Sequence, residues 1–254
     1  MELKYDIIVV GGGHAGCEAA AAAAKLGSKT LLITMDMSKF AQMSCNPAMG
    51  GIAKGQIIRE IDALGGLSGI ISDRSTIQFR MLNLSKGPAM WSPRSQNDRI
   101  VFSTFWREAL EKVDNLDLWQ DDVVRIIVKN SRVIGVRTKI GVKFYSNVVI
   151  LTNGTFLNGL IHIGSTKISG GRIGELSSEG LTDQLSELGF KSGRLKTGTP
   201  ARVDGRSIDF TKLTEQPGDE SGYKFSYLPD TKSLLKRRSC WVTYTNNYSH
   251  EELR

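Results

Sequence analysis

The segment that decides the fold is residues 6–16, Asp-Ile-Ile-Val-Val-Gly-Gly-Gly-His-Ala-Gly. An apolar run typical of a buried parallel strand leads into Gly11, Gly13 and Gly16 at G-x-G-x-x-G spacing, and an alanine-rich stretch follows. The spacing predicts a tight turn at Gly11, a close approach of a pyrophosphate at Gly13, and close packing of helix on strand at Gly16. The strand before and the helix after favour a dinucleotide-binding turn over a glycine-rich turn that binds nothing, because the helix N-terminus would face the phosphates.

The residue that would bind the ribose is less clear from the sequence. Residues 29–34 (KTLLIT) predict the second strand, and an acidic side chain at its end would bind the ribose hydroxyls. Asp36 has about the expected ~20-residue spacing from the glycines. Asp36 also lies just beyond the strand end, so a ribose ligand and an ordinary loop residue both remain open.

Composition places the chain among ordinary globular proteins and excludes several classes. The 254 residues carry a formal charge of +7, which permits a polyanionic partner without requiring one. No apolar run approaches the ~20 residues of a membrane span, and we expect no signal or transit peptide. Three scattered cysteines argue against a disulfide framework and favour the cytoplasm (Cys17, Cys45, Cys240). The three histidines are scattered and there is no C-x-x-C pair, which argues against a metal site.

Predicted helices, loops and strands follow one another along the chain up to about residue 197, beyond which long periodic segments stop. Helices are predicted at 52–64 and 100–113, loops at 41–51 and 83–98, and an antiparallel meander at 123–129, 132–138 and 142–145. Residues 148–151 predict another parallel strand, followed by a small-residue turn at 152–155 that could approach a nucleotide or simply cap a helix. Residues 214–232 predict an exposed loop, and a helix is expected to start from Ser249 as its N-cap.

These elements predict an α/β fold, with an FAD/NAD(P)-binding Rossmann-like parallel sheet, an antiparallel β-meander and the start of an inserted α+β domain. A meander between two nucleotide-binding segments is typical of a flavoprotein rather than of a simple dehydrogenase. We place a domain boundary near residue 197, which gives an FAD-binding domain at 1–197 without its closing segment and a partial inserted domain at 198–254.

Several longer motifs carry a resemblance to a known family. They are residues 44–52 (SCNPAMGGI), 60–66 (EIDALGG), 78–80 (QFR), 85–89 (SKGPA), 169–172 (SGGR), 195–200 (LKTGTP) and 243–246 (TYTN). Together they closely resemble the tRNA uridine 5-carboxymethylaminomethyl modification flavoproteins, the MnmG or GidA family, from residue 4 to residue 254. The cysteine-containing motif and the Lys-Thr-Gly-Thr-Pro motif are the most specific.

The resemblance implies an enzyme with a defined set of cofactors and partners. It implies FAD as the bound cofactor, NADH as reductant, methylene-tetrahydrofolate as carbon donor and the wobble uridine of certain tRNAs as substrate. It also implies an MnmE-type GTPase as partner and a homodimer for the full-length protein. It also implies that FAD contacts Gly11, Gly12, Gly13, His14, Ala15, Gly16, Val123 and Ser178. The NADH segment, a second cysteine motif and the closing FAD strand would lie beyond Arg254, so we expect a fragment that is inactive alone and binds FAD weakly.

Cys45 is the candidate catalytic residue by both routes. It matches an active-site cysteine of the family, and it stands in a glycine-rich loop just ahead of a predicted helix, where a thiolate is favoured. A thiolate can add to C6 of a pyrimidine and make C5 nucleophilic, which is covalent catalysis. Gly50 and Gly51 would leave room for a ring. An inert buried cysteine is the alternative, and it is the interpretation we favour for Cys17 and Cys240.

Two neighbouring cations and two rival functions stay open. Lys196 and Arg202 could meet phosphate or folate carboxylates, or could be solvated loop residues. The rival functions are a folate- and FAD-dependent tRNA uridine methyltransferase, which should lack the Cys-Asn-Pro loop, and a flavin-binding fragment without catalysis.

Overall fold

The structure, a computed structural model, describes residues 3–253. Within that range the α-helices are α1 (His14–Lys25), α2 (Lys54–Ala63), α3 (Ser68–Ser75), α4 (Arg99–Leu110), α5 (Leu181–Glu187) and α6 (Asn247–Glu252). The first strands are β1 (Ile7–Val10), β2 (Thr30–Thr34), β3 (Ala48–Gly50), β4 (Thr76–Leu82), β5 (Ser92–Asn97), β6 (Leu116–Gln120) and β7 (Val123–Lys129). The remaining strands are β8 (Arg132–Thr138), β9 (Lys143–Tyr145), β10 (Val148–Leu151), β11 (Leu160–Ile163), β12 (Thr166–Ser169), β13 (Thr214–Gln216) and β14 (Cys240–Val242).

A parallel sheet with the order β10-β1-β2-β6 forms the centre of the molecule. The central strands β1 and β2 are largely apolar on both faces because both faces are covered. Val9 and Leu32 pack in one core with residues of α1 and α4, such as Cys17 and Phe102. Ile8 and its row of neighbours pack in a second core on the other face. The fold class predicted from residues 6–16 is confirmed.

The second core is closed by the predicted meander, which is also confirmed. Strands β7, β8 and β9 pair antiparallel in that order. Val136 and Phe144 are buried against Ile8 and Leu31 of the parallel sheet. The meander therefore covers one face of the parallel sheet, and the opposite face of the meander is exposed to solvent.

The prediction of a loop at 83–98 was wrong for its second half. Residues Ser92–Asn97 form the centre of an antiparallel sheet with the order β3-β5-β4, and the same sheet takes Ala48–Gly50 from the loop predicted at 41–51. The sequence looks like a loop because the buried side chains are polar. Ser95 donates to Asn97 Oδ1 at 2.7 Å, and Asn97 Nδ2 donates to the carbonyl of Ser72 at 2.7 Å. These bonds satisfy the buried polar groups.

Some shorter elements escaped the sequence pattern. Strand β6 adds an edge to the parallel sheet, and β11 and β12 form a hairpin that was not predicted. The last helix was predicted, but its cap was wrong: Asn246 is the N-cap, and its Oδ1 accepts from the N–H of Ser249 at 2.9 Å. No helix among residues 3–253 has both the length and the apolar character needed to cross a bilayer.

The segment beyond the predicted domain boundary packs against the first part of the chain. The prediction of an exposed loop at 214–232 was wrong, because Phe225 is fully buried in the same core as Phe79 and Thr214–Gln216 is strand β13. The carboxylate of Asp73 accepts the N–H groups of Phe225 and Ser226, both at 2.8 Å, and Asp62 accepts the N–H of Tyr227 at 2.9 Å. Burial raises the pKa of Asp73, and these donors oppose that rise. The boundary near residue 197 stays a prediction.

Candidate functional site

The carboxyl ends of the four parallel strands meet at one edge of the central sheet. Strand β1 leads into Gly11, strand β2 into Asp36, strand β6 into Asp122 and strand β10 into Thr152. Hydrogen bonds tie these loops together, since the N–H of Asp121 donates to the carbonyl of Thr34 at 2.9 Å. In open α/β sheets this edge, where the strand order reverses beside β1, is where ligands bind.

Two of the motif glycines are required by packing. At Gly11, where φ is +104°, an added Cβ would lie 2.7 Å from the carbonyl oxygen of Thr152. At Gly16 an added Cβ would lie 1.8 Å from the carbonyl oxygen of Gly11. Thr152 Oγ1 donates toward Gly11 O at 2.9 Å, so the turn after β10 locks onto the glycine turn. The approach of α1 to β1 therefore depends on the missing side chains.

The middle glycine is different, because the space above it is open. A Cβ on Gly13 would meet nothing within 4 Å, and both Gly13 and Ala15 are exposed. Gly13 is the N-cap of α1 and offers no side-chain hydrogen bond to the helix. The first N–H groups of a helix have no partner within it and bear the positive end of its dipole. The start of α1 is thus an open cradle that suits a phosphate group.

The His14 side chain serves the fold beside this cradle. Its Nε2 lies 2.8 Å from the carbonyl oxygen of Ala41, and its ring packs edge-on against Phe102 at 5.6 Å between centroids. Burial lowers its pKa, so the ring is neutral at pH 7. The predicted FAD contact at His14 can therefore come from its backbone N–H, while the imidazole fixes the loop that follows β2.

Asp36 lies outside β2, two residues beyond its end. Its carboxylate accepts the N–H of Ser38 at 2.8 Å and pairs with Lys39 at 3.1 Å. The hydrogen bonds from Ser38 hold the pKa of Asp36 below its usual value. Asp36 is an ionised carboxylate at the edge of the site, and its role as a ribose ligand stays a prediction.

Val123 and Ser178 are brought together by a residue that the sequence analysis did not single out. Asp122 precedes Val123, and its Oδ1 accepts the hydroxyl of Ser178 at 2.7 Å. Burial raises the pKa of Asp122, opposed by that hydrogen bond and by Lys139. The N–H of Ser178 donates to the carbonyl of Phe156 at 2.9 Å, in the loop that starts at Thr152. The loop after β10 thus connects the glycine turn to Ser178, and Asp122 connects Ser178 to Val123. The acidic pair Asp121-Asp122 at the end of β6 is the sequence feature that could have indicated this arrangement.

Cys45 is placed by contacts from far along the chain. Its Sγ lies 3.6 Å from the carbonyl oxygen of Gly198 and 3.3 Å from Oγ1 of Thr199. The guanidinium of Arg202 donates to the carbonyl of Cys45 and, at 3.5 Å, to that of Ser44. The two most specific motifs of the sequence, which are about 150 residues apart, therefore meet at this thiol.

The local reason given for a reactive Cys45 was wrong. Strand β3 lies between Cys45 and α2, whose N-cap is Ala53, so the thiol does not directly precede a helix N-terminus. The room expected at Gly50 is also filled, because a Cβ there would lie 2.2 Å from the carbonyl oxygen of Pro93. At Gly51 nothing lies within 4 Å. The catalytic role of Cys45 stays a prediction that now rests on its surroundings.

A second set of charged residues borders the glycine turn. Arg172 contacts Gln42 and lies over the ring of Phe156 at 4.9 Å, and Glu175 pairs with Lys39 at 3.4 Å. Burial lowers the pKa of Arg172. The Ser-Gly-Gly-Arg motif was the signal for this segment, which packs the hairpin region against the loop after β2.

The other two cysteines and the remaining features lie outside this arrangement. Cys17 is buried in the core, and burial raises the pKa of its thiol; Cys240 donates to Gln78 Oε1 at 3.1 Å. Two surface clefts of about 400 and 390 Å³ lie at β7–α5 and at the β11–β12 hairpin, away from the glycine turn. Among residues 3–253 no group of three histidine, cysteine or acidic side chains is arranged to hold a metal ion.

Comparison with known proteins decides the family. The sequence profile of the family described as "Glucose inhibited division protein A" matches residues 6–254. The chain belongs to this family. It is 65% identical over 251 residues to the tRNA uridine 5-carboxymethylaminomethyl modification enzyme MnmG of Cytophaga hutchinsonii, covering 99% of this chain and 40% of that protein. The resemblance inferred from the motifs is confirmed.

Solved structures agree with this assignment. The structure of Aquifex aeolicus GidA superposes with a TM-score of 0.93 at 48% identity, over 98% of this chain and 42% of that chain. A GidA-related protein from Thermus thermophilus, at 24% identity and a TM-score of 0.56 over 74% of this chain and 69% of that chain, shares the fold. The chain spans about two fifths of the length of the curated relatives that it matches.

Proposed function

We propose that this chain is the nucleotide-binding part of an FAD-dependent enzyme that modifies C5 of the wobble uridine in certain tRNAs. The observation that carries the proposal is the open cradle at Gly13, within a family whose relatives bear the name of that tRNA modification enzyme. FAD supplies the oxidation–reduction chemistry when it is bound.

The residues at the carboxyl edge of the sheet fit a dinucleotide. Gly13 and Ala15 leave the start of α1 accessible, so its free N–H groups would hold the pyrophosphate. Asp36 would accept hydrogen bonds from ribose hydroxyls. The backbone at Val123 and the hydroxyl of Ser178 would meet the adenosine side, since Asp122 already fixes both of them at the end of β6.

Cys45 would act on the uracil base. Its thiolate would add to C6, which moves an electron pair to C5 and makes that carbon the nucleophile. After C5 has bonded to the one-carbon group, loss of the C5 proton to a base would expel the thiolate from C6 and restore the double bond of the ring. The Thr199 hydroxyl at 3.3 Å can orient the sulfur, and Arg202 holds the loop by donating to the carbonyl of Cys45. A thiol with these fixed neighbours and partial exposure suits a nucleophile better than a packing residue does.

The wider reaction belongs to the same proposal. NADH would reduce the cofactor, methylene-tetrahydrofolate would supply carbon, and an MnmE-type GTPase would act as partner to a homodimer in the cytoplasm. Residues for the NADH site are expected outside this chain, since the relatives are more than twice as long. Lys196 remains a candidate for phosphate or folate carboxylates.

The experiment that tests the proposal compares Cys45→Ser with Cys17→Ser in protein of the relatives' full length. Wobble-uridine modification is measured by nucleoside analysis of tRNA, and flavin content by absorbance. We expect Cys45→Ser to keep flavin and tRNA binding but to lose at least about 100-fold in activity, as is typical when a covalent nucleophile is removed. Cys17→Ser should keep its activity and lose some stability.

The possible results separate the rival functions. Near-normal turnover by Cys45→Ser would make Cys45 a structural residue. Modification of a T-loop uridine instead of the wobble base would indicate the tRNA uridine methyltransferase. Flavin binding without any tRNA modification would indicate a scaffold.

A further inference from the structure

The solvent face of the meander has an unusual charge distribution. Residues 123–145 contain six cations and no acidic residue: Arg125, Lys129, Arg132, Arg137, Lys139 and Lys143. All six side chains are exposed. A stretch of sheet with cations and no acidic residue favours a locally positive potential.

Strand register places three of these cations side by side. Arg125 pairs with Arg137 across β7 and β8, and Arg137 pairs with Lys143 across β8 and β9. Directly paired residues share one face of a sheet, about 5 Å apart. The neighbouring row is buried on the other face, and two of its members, Val136 and Phe144, pack against the parallel sheet, while Ile126 is buried beside them. The three cations therefore form a row on the solvent face.

This cationic row is costly for the fold alone. Like charges directly opposite each other destabilise a sheet. Among the residues that the structure describes, none of the three cations lies within 4.0 Å of a carboxylate oxygen; the ion pairs all involve other residues. The fold thus tolerates a repulsion among these three cations that a bound anion would reduce.

The row lines a cleft that helix α5 holds open. The cleft of about 400 Å³ lies between β7 and α5 and is lined by Arg125, Arg137 and Lys143 together with Gln184 and Glu187. Gln184 fixes the helix by accepting the N–H of Ile126 at 2.8 Å and donating to its carbonyl at 2.7 Å. Glu187 is the acidic residue of the lining, so the cleft keeps an excess of two positive charges.

We propose that the cationic row Arg125–Arg137–Lys143 binds the phosphate backbone of the tRNA substrate. This inference rests on the proposed function, which supplies the RNA. Two guanidinium groups and an ammonium lie side by side on one face, and guanidinium binds phosphate oxygens in pairs. The row carries no aromatic side chain for base stacking, so it positions the RNA without reading its sequence.

The test is tRNA binding by protein of the relatives' full length and by two variants of that protein with equal charge. The first variant is Arg125→Gln/Arg137→Gln/Lys143→Gln, and the control is Lys112→Gln/Lys167→Gln/Lys236→Gln, at exposed cations away from the meander. Affinity for a labelled, unmodified tRNA transcript is measured by fluorescence anisotropy over a series of salt concentrations, with thermal unfolding measured for each protein.

We expect the meander variant to bind at least about tenfold more weakly, and the slope of log affinity against log salt to fall by about 2 to 3. The control should change the slope by less than about 1. The melting temperature of the meander variant should stay level or rise, because the repulsion is gone.

Several results would overturn the inference. Equal losses in both variants would reduce the effect to net charge, and unchanged tRNA affinity would exclude the row. Unchanged tRNA affinity with weaker binding of poly-glutamate would assign the row to an acidic protein instead. These results leave flavin binding and uridine modification untouched, so they are distinct from failure of the proposed function. If wild-type protein of the relatives' full length bound no tRNA, both the inference and the tRNA part of that function would be removed.

Discussion

The glycine turn and the cysteine loop are built in opposite ways. At the glycine turn, residues a few positions apart fit together: a Cβ on Gly16 would collide with the carbonyl of Gly11. At the cysteine loop the decisive neighbours of Cys45 are Gly198, Thr199 and Arg202. Local sequence spacing therefore determines the close packing at Gly16, whereas tertiary contacts over about 150 residues determine the surroundings of Cys45. A substitution at Gly16 should accordingly act on the fold, and one beside Cys45 on the reactivity of its thiol.

The largest effect should come from Gly16→Ala. Its Cβ would lie 1.8 Å from Gly11 O, where the neighbour is backbone and cannot move aside cheaply. We expect a loss of about 3 kcal/mol or more in the free energy of unfolding, measured by urea denaturation. Gly13→Ala is the matched control, because nothing lies within 4 Å of its Cβ, and it should cost under about 1 kcal/mol. Similar losses in both variants would contradict the division of roles among the glycines.

A smaller but clear effect should separate two cysteines. Cys45 is partly exposed, while Cys17 is buried with a raised thiol pKa and donates to Gly12 O at 3.3 Å. Iodoacetamide should modify Cys45 at least about 100-fold faster than Cys17 in the native protein, since Cys17 reacts only through opening of the core. Peptide mass spectrometry over time provides both rates. Comparable rates would show that the cysteine loop does not present its thiol.

Thr199→Val tests whether the contact from the distant motif affects the reactivity of Cys45. Valine keeps the shape of threonine and removes the hydroxyl that lies 3.3 Å from Cys45 Sγ. We expect the alkylation rate of Cys45 to change by about three- to tenfold, the scale of one hydrogen bond. Thr197→Val, two residues away in the same exposed segment, should leave the alkylation rate of Cys45 unchanged. A rate unaffected by either substitution would mean that the motif contact does not orient the sulfur.

The smallest effect concerns His14. Burial lowers its folded-state pKa below the usual 6.5, so below about pH 6.5 the unfolded state binds a proton that the native state does not. Stability from this group is fully present above that pH and is lost as the pH falls. The difference in unfolding free energy between wild type and His14→Gln should therefore shrink on acidification from pH 7 to 5. A difference that is constant with pH would contradict a buried, neutral imidazole.

The sequence predicted those strands and helices whose hydropathy pattern reflects their burial in the fold. The strand Ile7–Val10 was predicted because a covered parallel strand is apolar throughout. Strand Ser92–Asn97 was missed because its buried Ser95 and Asn97 satisfy each other by hydrogen bonds, which no hydropathy pattern reports. The contact of Cys45 with Thr199 depends on how the two loops fold back, and the cationic row depends on strand register. Neither of these can be read from local spacing.

The central claim is that the glycine turn is an FAD site whose open position is Gly13. The most direct measurement is the FAD affinity of Gly13→Leu against wild type, by quenching of flavin fluorescence. Gly193→Leu is the control, since Gly193 also has nothing within 4 Å of its Cβ and lies outside the turn. We predict that Gly13→Leu unfolds almost as wild type does but loses at least about tenfold in affinity, while Gly193→Leu binds normally. Wild-type affinity in a folded Gly13→Leu protein would contradict the claim.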